Sequence, residues 1–237
     1  MDSGAETFMR RYLNLTVALD LEPSPARSLQ VTLPGLDYQN NKLSGKDRLA
    51  LSNFSDFTIG QCRLDKRLND CVDQYWASFG AKNPDIDLGG GRTYALKICA
   101  VAKGRPEDLE FFLTIAYYVL TTWPKSTAAR HIESVLALPV GRSDADLREC
   151  FAKFAQKNLG VDCSGFVGQY FRAQGVTTVS PQNETTLMIK REKRDIRDLA
   201  RGDILAFLNA EHSHVMVLDS VKPHPARGDA VVVRAVE

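Results

Sequence analysis

A cysteine at the predicted start of a helix is the residue of this chain best suited to chemistry. Residues 161–172 read VDCSGFVGQYFR, so Cys163 follows Asp162, a residue type that caps helices, and precedes apolar residues at helical spacing. Unpaired backbone N–H groups and the helix dipole at such a position stabilise a thiolate over a thiol. Cys163 is therefore a candidate nucleophile, although an isolated cysteine is more often an inert residue of the core.

A nucleophilic cysteine needs a base, and histidine is the natural candidate among the four histidines of this chain. His214 opens the apolar run HVMVL, which predicts a strand whose packing would fix the imidazole ring, so we assign it as the base. His212 lies in the preceding loop and stays an alternative. His131, in a predicted helix, and His224, between two prolines, are better explained as structural or loop residues.

The same residues allow a second chemistry, metal binding. His212 and His214 are two positions apart and would share one face of a strand, where Cys163 could join them around zinc. This set lacks a fourth protein ligand and any C-x-x-C pair. We therefore expect no metal and no cofactor, and the zinc site is the weaker hypothesis.

The elements that would position Cys163 and His214 follow one another in the last third of the chain. Ser143 and Asp146 form an S-x-x-D cap that opens a helix ending at Gly160, and the Cys163 helix comes next. Three apolar runs then predict an antiparallel meander: ILAFL, HVMVLDSV and AVVVRAV. Helices followed by strands predict an α+β fold with segregated elements.

The first 141 residues are predicted to be mainly helical with some strand. Pro106 followed by three acidic residues opens a helix to Thr122 that is apolar nearly all round, which indicates a central core helix. The other predicted elements are strands within 13–19 and 29–33, loop over 35–60, and helices over 64–79, 94–102 and 126–138.

Three short motifs in a fixed order resemble a known family. DCSGF at 162–166, GDILAF at 202–207 and SHVMVL at 213–218 are similar to the NlpC/P60 cysteine peptidases, and the resemblance covers roughly residues 147–237. It implies a papain-like fold and cleavage of an amide bond in a bacterial cell-wall peptide. The implied partner is therefore a peptide or muropeptide substrate. We divide the chain into an N-terminal region of unassigned function, 1–141, and a hydrolase domain, 142–237.

The resemblance also implies roles for individual residues. Cys163 would be the nucleophile and His214 its base, with Glu237 on the next strand as the orienting group. Arg234 would lie on the opposite face of that strand and is no hydrogen-bond acceptor. We expect the residues that flank the pair to contact substrate: Asp162, Ser164 and Ser213.

The chain departs from the family pattern at three points. The segment before Cys163 lacks the Tyr and Gly-Gly residues that line the family's cleft, so a wall from Tyr94, Tyr117 or Tyr118 is expected instead. Met216 replaces the usual small residue after His-Val. Glu237 ends the given sequence, which suggests that the last strands of the domain lie beyond it. A module of the same fold that binds cell-wall or peptide ligands without cleaving them is the main alternative.

Composition excludes some classes of function. The net charge of +1 gives no argument for nucleic acid, and no stretch reaches the ~20 apolar residues of a membrane span. The N-terminus lacks the order of a Sec signal, which leaves cytoplasmic retention, export by another route or prior removal of a signal. Five cysteines are an odd number, and only Cys62 and Cys71 are close enough in sequence to suggest a pair. Oligomeric state is not predicted.

Overall fold

The computed structural model describes residues 4–22, 24–33, 45–82, 91–101, 103–126, 130, 143–159, 161–176, 195, 198–208 and 213–236. Contacts group the chain into two compact units, one of residues 1–11 with 162–237 and one of residues 12–161. The predicted domain boundary between residues 141 and 142 stays a prediction. None of the helices in these ranges has the length and apolar character that a bilayer crossing requires.

The helices and strands follow one another along the chain in this order: α1 (Ala5–Leu13), β1 (Asn14–Ala18), β2 (Ser28–Thr32), α2 (Gly45–Gln61), α3 (Lys66–Lys82), α4 (Gly91–Lys97), a 3₁₀ turn (Ile98–Val101), α5 (Pro106–Thr122), α6 (Asp144–Asn158), α7 (Cys163–Ala173), β3 (Ile204–Leu208), β4 (Ser213–His224) and β5 (Arg227–Val236).

The unit of residues 12–161 is built around α5, as its apolar sequence predicts. Ten of the seventeen residues of α5 are buried, and β1 packs against the helix. β1 and β2 pair antiparallel, with Leu15 opposite Val31 and Val17 opposite Leu29, and these four side chains are buried. Burial of one alternating face on each strand explains why these short segments pair.

The start of α5 is fixed by a buried carboxylate. Asp108, which is 0% exposed, accepts hydrogen bonds from the Arg105 backbone N–H (2.8 Å), from the Arg105 guanidinium (2.6 Å) and from the Tyr75 hydroxyl (3.1 Å). Burial and then the charge of Asp108 raise the pKa of Tyr75 well above its ordinary value, so the phenol stays a donor. A buried charge is tolerated here because it is paired and bonded.

The loop predicted over 35–60 is wrong for its second half, because residues 45–61 form α2. Phe54, Ser55 and Thr58 are buried, and the Phe54 ring lies edge-on to Phe112 of α5 at 5.3 Å between centroids. Polar composition suggested a loop, but packing against α4 and against the Phe112 ring supplies the burial that favours a helix. Residues 34–44 lie outside the described ranges.

The helix predicted over 64–79 is confirmed with shifted ends. Leu64, expected on its apolar face, is 80% exposed in the turn that precedes α3. Asp65 caps α3 by accepting from the Leu68 N–H at 3.1 Å, and the helix passes Gly80 to end at Lys82. The predicted helix over 126–138 falls outside the described residues, apart from Ser126 and Arg130.

The other unit combines residues 5–11 of α1, α7 and a three-stranded sheet of order β3–β4–β5. All pairs are antiparallel, with Phe207 opposite His214 and Val217 opposite Val236, so the predicted meander is confirmed. α7 packs against β4, the middle strand. Helices with small antiparallel sheets confirm the α+β class.

Candidate active site

Asp162 and the residues after it explain why a helix begins at Cys163. Asp162 has extended backbone angles (φ −80°, ψ 167°), and its Oδ1 accepts from the Gly165 N–H at 2.6 Å and from the Ser164 hydroxyl at 2.8 Å. The Asp162 carbonyl accepts the first helical bond, from Phe166 at 2.8 Å. The motif DCSG is thus a helix cap that delivers Cys163 as the first residue of α7.

The position of Cys163 suits a nucleophile but leaves the residue little exposed. Cys163 is 8% exposed, and it is followed by seven residues that are also buried, from Ser164 to Tyr170. The first N–H groups of a helix have no partner within it. Because Asp162 occupies the Gly165 N–H, the N–H of Cys163 itself is the better candidate donor to an oxyanion.

His214 is the second residue of β4 and is half-buried. Strand alternation puts it on one face with Met216 and Leu218, and Leu218 is fully buried. Since α7 packs against β4, the structure brings together the two elements that carry the predicted nucleophile and base.

The GD motif has a structural role that sequence reasoning did not find. Gly202 has φ +89°, a left-handed conformation that glycine adopts without strain, and its N–H donates to the Leu218 carbonyl at 2.7 Å. The Leu218 N–H donates back to the Asp203 carbonyl at 2.9 Å, and the Asp203 carboxylate accepts from the Ala200 N–H at 2.8 Å. The turn therefore anchors β4, four residues from His214.

The remaining predicted site residues are only partly described. Ser213 begins β4 opposite Leu208, but its side chain lies outside the described part of the structure. Glu237 and the alternative base His212 also fall outside it. Arg234 forms an ion pair with Glu6 of α1 at 2.6 Å, so its guanidinium is already engaged.

The expected cleft-wall tyrosines belong to the unit of residues 12–161. The Tyr118 hydroxyl donates to Asp65 at 2.5 Å, and the Tyr117 ring lies edge-on to Phe151 at 6.2 Å. The Tyr94 side chain is outside the described set. Their proposed contribution to a cleft stays a prediction.

All five cysteines are free thiols, including Cys62 and Cys71. Burial raises the pKa of Cys71 to about 11 and the pKa of Cys99 well above its ordinary value, and burial also raises the pKa of Cys62. Raised pKa values make these three thiols poor nucleophiles at neutral pH. Within the described residues, no group of three or more His, Cys, Asp or Glu side chains is placed to hold a metal ion.

Comparison with known proteins gives one match. The family model of the NlpC/P60 family matches residues 151–233, a segment that includes α7, β3, β4 and most of β5. This family implies in general a hydrolytic peptidase or amidase activity on cell-wall peptides. Searches of curated proteins and of solved structures returned no match. The match confirms the resemblance carried by DCSGF, GDILAF and SHVMVL, because all three motifs lie within the matched residues 151–233.

Proposed function

We propose that this protein is a thiol hydrolase of papain-like architecture that cleaves an amide bond in a bacterial cell-wall peptide. One observation carries the proposal: Cys163 opens a capped helix that packs against the strand bearing His214, inside the segment that matches the NlpC/P60 family. Cys163 acts as the nucleophile and His214 as the base.

The reaction proceeds in two steps. The Cys163 thiolate attacks the amide carbonyl carbon, and the oxyanion is held by N–H groups at the start of α7. The C–N bond then breaks, and the proton held by the His214 imidazole goes to the departing amine. Water that gives its proton to His214 attacks the thioester, which releases a carboxylic acid and restores the thiolate.

Glu237 is proposed to orient the His214 ring. The register of β4 and β5 supports it, because Leu218 lies opposite Ala235 and therefore shares a face with it. Leu218 is on the face of His214, and a strand that continued beyond β5 would place position 237 on that same face. Arg234 falls out of this alternation and pairs with Glu6.

Asp162, Ser164 and Ser213 are proposed to border the substrate. Asp162 and Ser164 bond to each other in the helix cap, so their first role is to shape the start of α7. Residues 1–141, a mainly helical region in this proposal, provide either a targeting domain or one wall of the cleft.

A binding module without hydrolysis is the second candidate function. It is favoured by the low exposure of the Cys163 residue, 8%, and by bulky Met216 on the face of His214. Such a module would retain affinity for muropeptides while turnover is absent, whatever residue stands at position 163.

Replacement of the nucleophile separates the two functions. Cys163→Ala should lower cleavage of muropeptides by about 10³-fold or more, because no other thiol lies at this capped helix start. Cys150→Ala, which changes a half-buried cysteine of α6, is the matched control and should retain activity. Activity is followed by the release of new amino groups, and folding by circular dichroism. Unchanged cleavage by a folded Cys163→Ala variant would exclude the thiol mechanism.

A further inference from the structure

Residues 5–11 of the N-terminal helix α1 belong to the unit that carries the candidate site, although about 150 residues of sequence separate α1 from α7. Phe8 is 2% exposed. Its ring centroid lies 5.7 Å from that of Phe166 and 5.9 Å from that of Tyr170, both on α7. Such aromatic contacts stabilise beyond the area that they bury, so α1 is held firmly to the helix that begins with Cys163.

The start of α1 is bound to β4. The Asp219 carboxylate accepts a hydrogen bond from the Glu6 N–H at 3.2 Å, so a strand residue satisfies a helix N–H that has no partner within α1. A carboxylate is also the favourable charge at this end of a helix. Asp219 is five residues from His214 on the same strand.

Gly4 shows how closely the chain approaches the sheet. A Cβ atom at this position would lie 2.7 Å from the Asp219 Oδ1 and would collide with the Arg201 guanidinium. Arg201 belongs to the turn that contains Gly202 and anchors β4.

A further contact ties α1 to β5. The Glu6 carboxylate pairs with Arg234 at 2.6 Å and with Arg10 at 2.8 Å. These groups are partly exposed, so the two ion pairs add little to stability.

We propose that α1 is a clamp that positions the candidate nucleophile relative to the candidate base, with Phe8 and Asp219 as its positioning residues. Phe8 fixes α7, and Asp219 fixes β4, through one short and rigid helix. The proposal rests on the proposed function for its catalytic consequence, while the mechanical link itself does not. The unit that holds the site is therefore discontinuous in sequence, and residues 142–237 alone lack its clamp.

The test compares variants of the full chain. Phe8→Ala removes the ring that packs on α7, and Phe8→Leu restores most of the apolar volume. Asp219→Ala removes the acceptor on β4. Phe54→Ala is the matched control, because it empties a similar buried aromatic site in the other unit, against Phe112. Amide hydrogen exchange is measured in α7 and β4, and kcat and KM are measured on a muropeptide.

The clamp predicts that Phe8→Ala and Asp219→Ala speed exchange in both α7 and β4 by about tenfold, whereas Phe54→Ala leaves these elements unchanged. It also predicts that kcat falls by about tenfold or more while KM stays within about twofold, and that Phe8→Leu recovers most of kcat. If the Phe8→Ala variant does not fold, the exchange rates and kcat of the Asp219→Ala variant decide whether the clamp exists.

Exchange and kcat equal to those of the original protein in folded Phe8→Ala and Asp219→Ala would overturn the clamp. Loss of kcat that is the same in Phe54→Ala would also overturn it, since the effect would then be a general loss of stability. If the unchanged protein does not cleave the muropeptide, the proposed function fails while the exchange experiment still decides the clamp.

Discussion

At the scale of single residues, the candidate site depends on one thiol and one imidazole. Cys163 takes its setting from Asp162, whose carboxylate bonds to the Gly165 N–H and the Ser164 hydroxyl. His214 takes its setting from the sheet, where β3 pairs with it and the turn at Gly202 bonds to Leu218 on the same strand. Cys163 is a free thiol.

Replacing the base tests the role of His214. His214→Ala should lower kcat by about 10²–10⁴-fold, because it removes the group that we propose moves the proton in both steps. Steady-state kinetics on a muropeptide measure the effect.

His224→Ala is the control for this substitution. His224 lies at the other end of β4, where its Nδ1 accepts from the Ala226 N–H at 3.1 Å in the hairpin turn. The His224→Ala substitution should leave kcat unchanged. Equal losses in the two variants would show that the histidines of β4 act only through the stability of the strand.

At the scale of elements, two helices are capped in comparable ways, and only one of them carries the candidate nucleophile. α7 begins with the Asp162 cap, and α6 begins with a box in which Ser143 and Asp146 bond to each other. The pair allows the effect of a lost cap on stability to be separated from its effect on Cys163.

Removal of either cap should cost about 1 kcal/mol in the free energy of unfolding, since Asp162→Ala and Ser143→Ala each leave helix N–H groups without a side-chain acceptor. Only Asp162→Ala should also slow alkylation of Cys163 by iodoacetamide, because only this cap sets the geometry around the thiol. Urea unfolding and mass spectrometry of the alkylated peptides give the two readouts. Equal alkylation of Cys163 in both variants would contradict a functional role for the Asp162 cap.

At the scale of the whole molecule, most of the buried apolar side chains among the described residues lie in the unit of residues 12–161. There α5 packs on β1, and the Phe54–Phe112 contact joins α2 to α5. Asp65 makes one further link in this unit, between the start of α3 and α5. It caps α3 and accepts from the Tyr118 hydroxyl of α5 at 2.5 Å.

Lowering the pH should weaken the interaction of Asp65 with Tyr118. Burial raises the pKa of Asp65, but the hydrogen bond from Tyr118 and backbone N–H bonds outweigh it and hold the pKa below its ordinary value of 3.8. A carboxyl with a lowered pKa contributes stability that is complete above its unfolded value and is lost as the pH falls through its folded value. Unfolding midpoints from about pH 2 to 6 should therefore fall less steeply in acid for Asp65→Asn and for Tyr118→Phe. Acid dependence identical to that of the original protein would rule out this contribution.

The sequence predicts those parts of the fold whose signals are local. Pro106 with the acidic residues behind it and an apolar surface predicts α5, and the S-x-x-D cap predicts the start of α6. α2 is missed because its helical state comes from burial of Phe54 and Thr58 against other elements. Such burial cannot be predicted from local composition.

The same distinction between local and long-range signals applies to the candidate site. Cys163 and His214 are assigned from the short motif around each, and the family match covers both motifs. Their catalytic roles stay predictions. The contacts of Asp219 with Glu6 and of Phe8 with Phe166 join residues far apart in sequence, so no local pattern reports them. The spacing of Ala5, Phe8 and Tyr12 is a helical signal that would have indicated α1 itself.

Competitive alkylation tests the central claim, an activated Cys163, most directly. Exposure alone ranks half-buried Cys71 and Cys150 ahead of buried Cys163, whereas activation by a helix start and by the proposed base His214 ranks Cys163 first. With limiting iodoacetamide at mildly acidic pH, peptide mass spectrometry should find Cys163 modified about tenfold faster than Cys150, and His214→Ala should abolish the difference. Modification in the order of exposure, with Cys163 among the slowest of the five, would contradict the account.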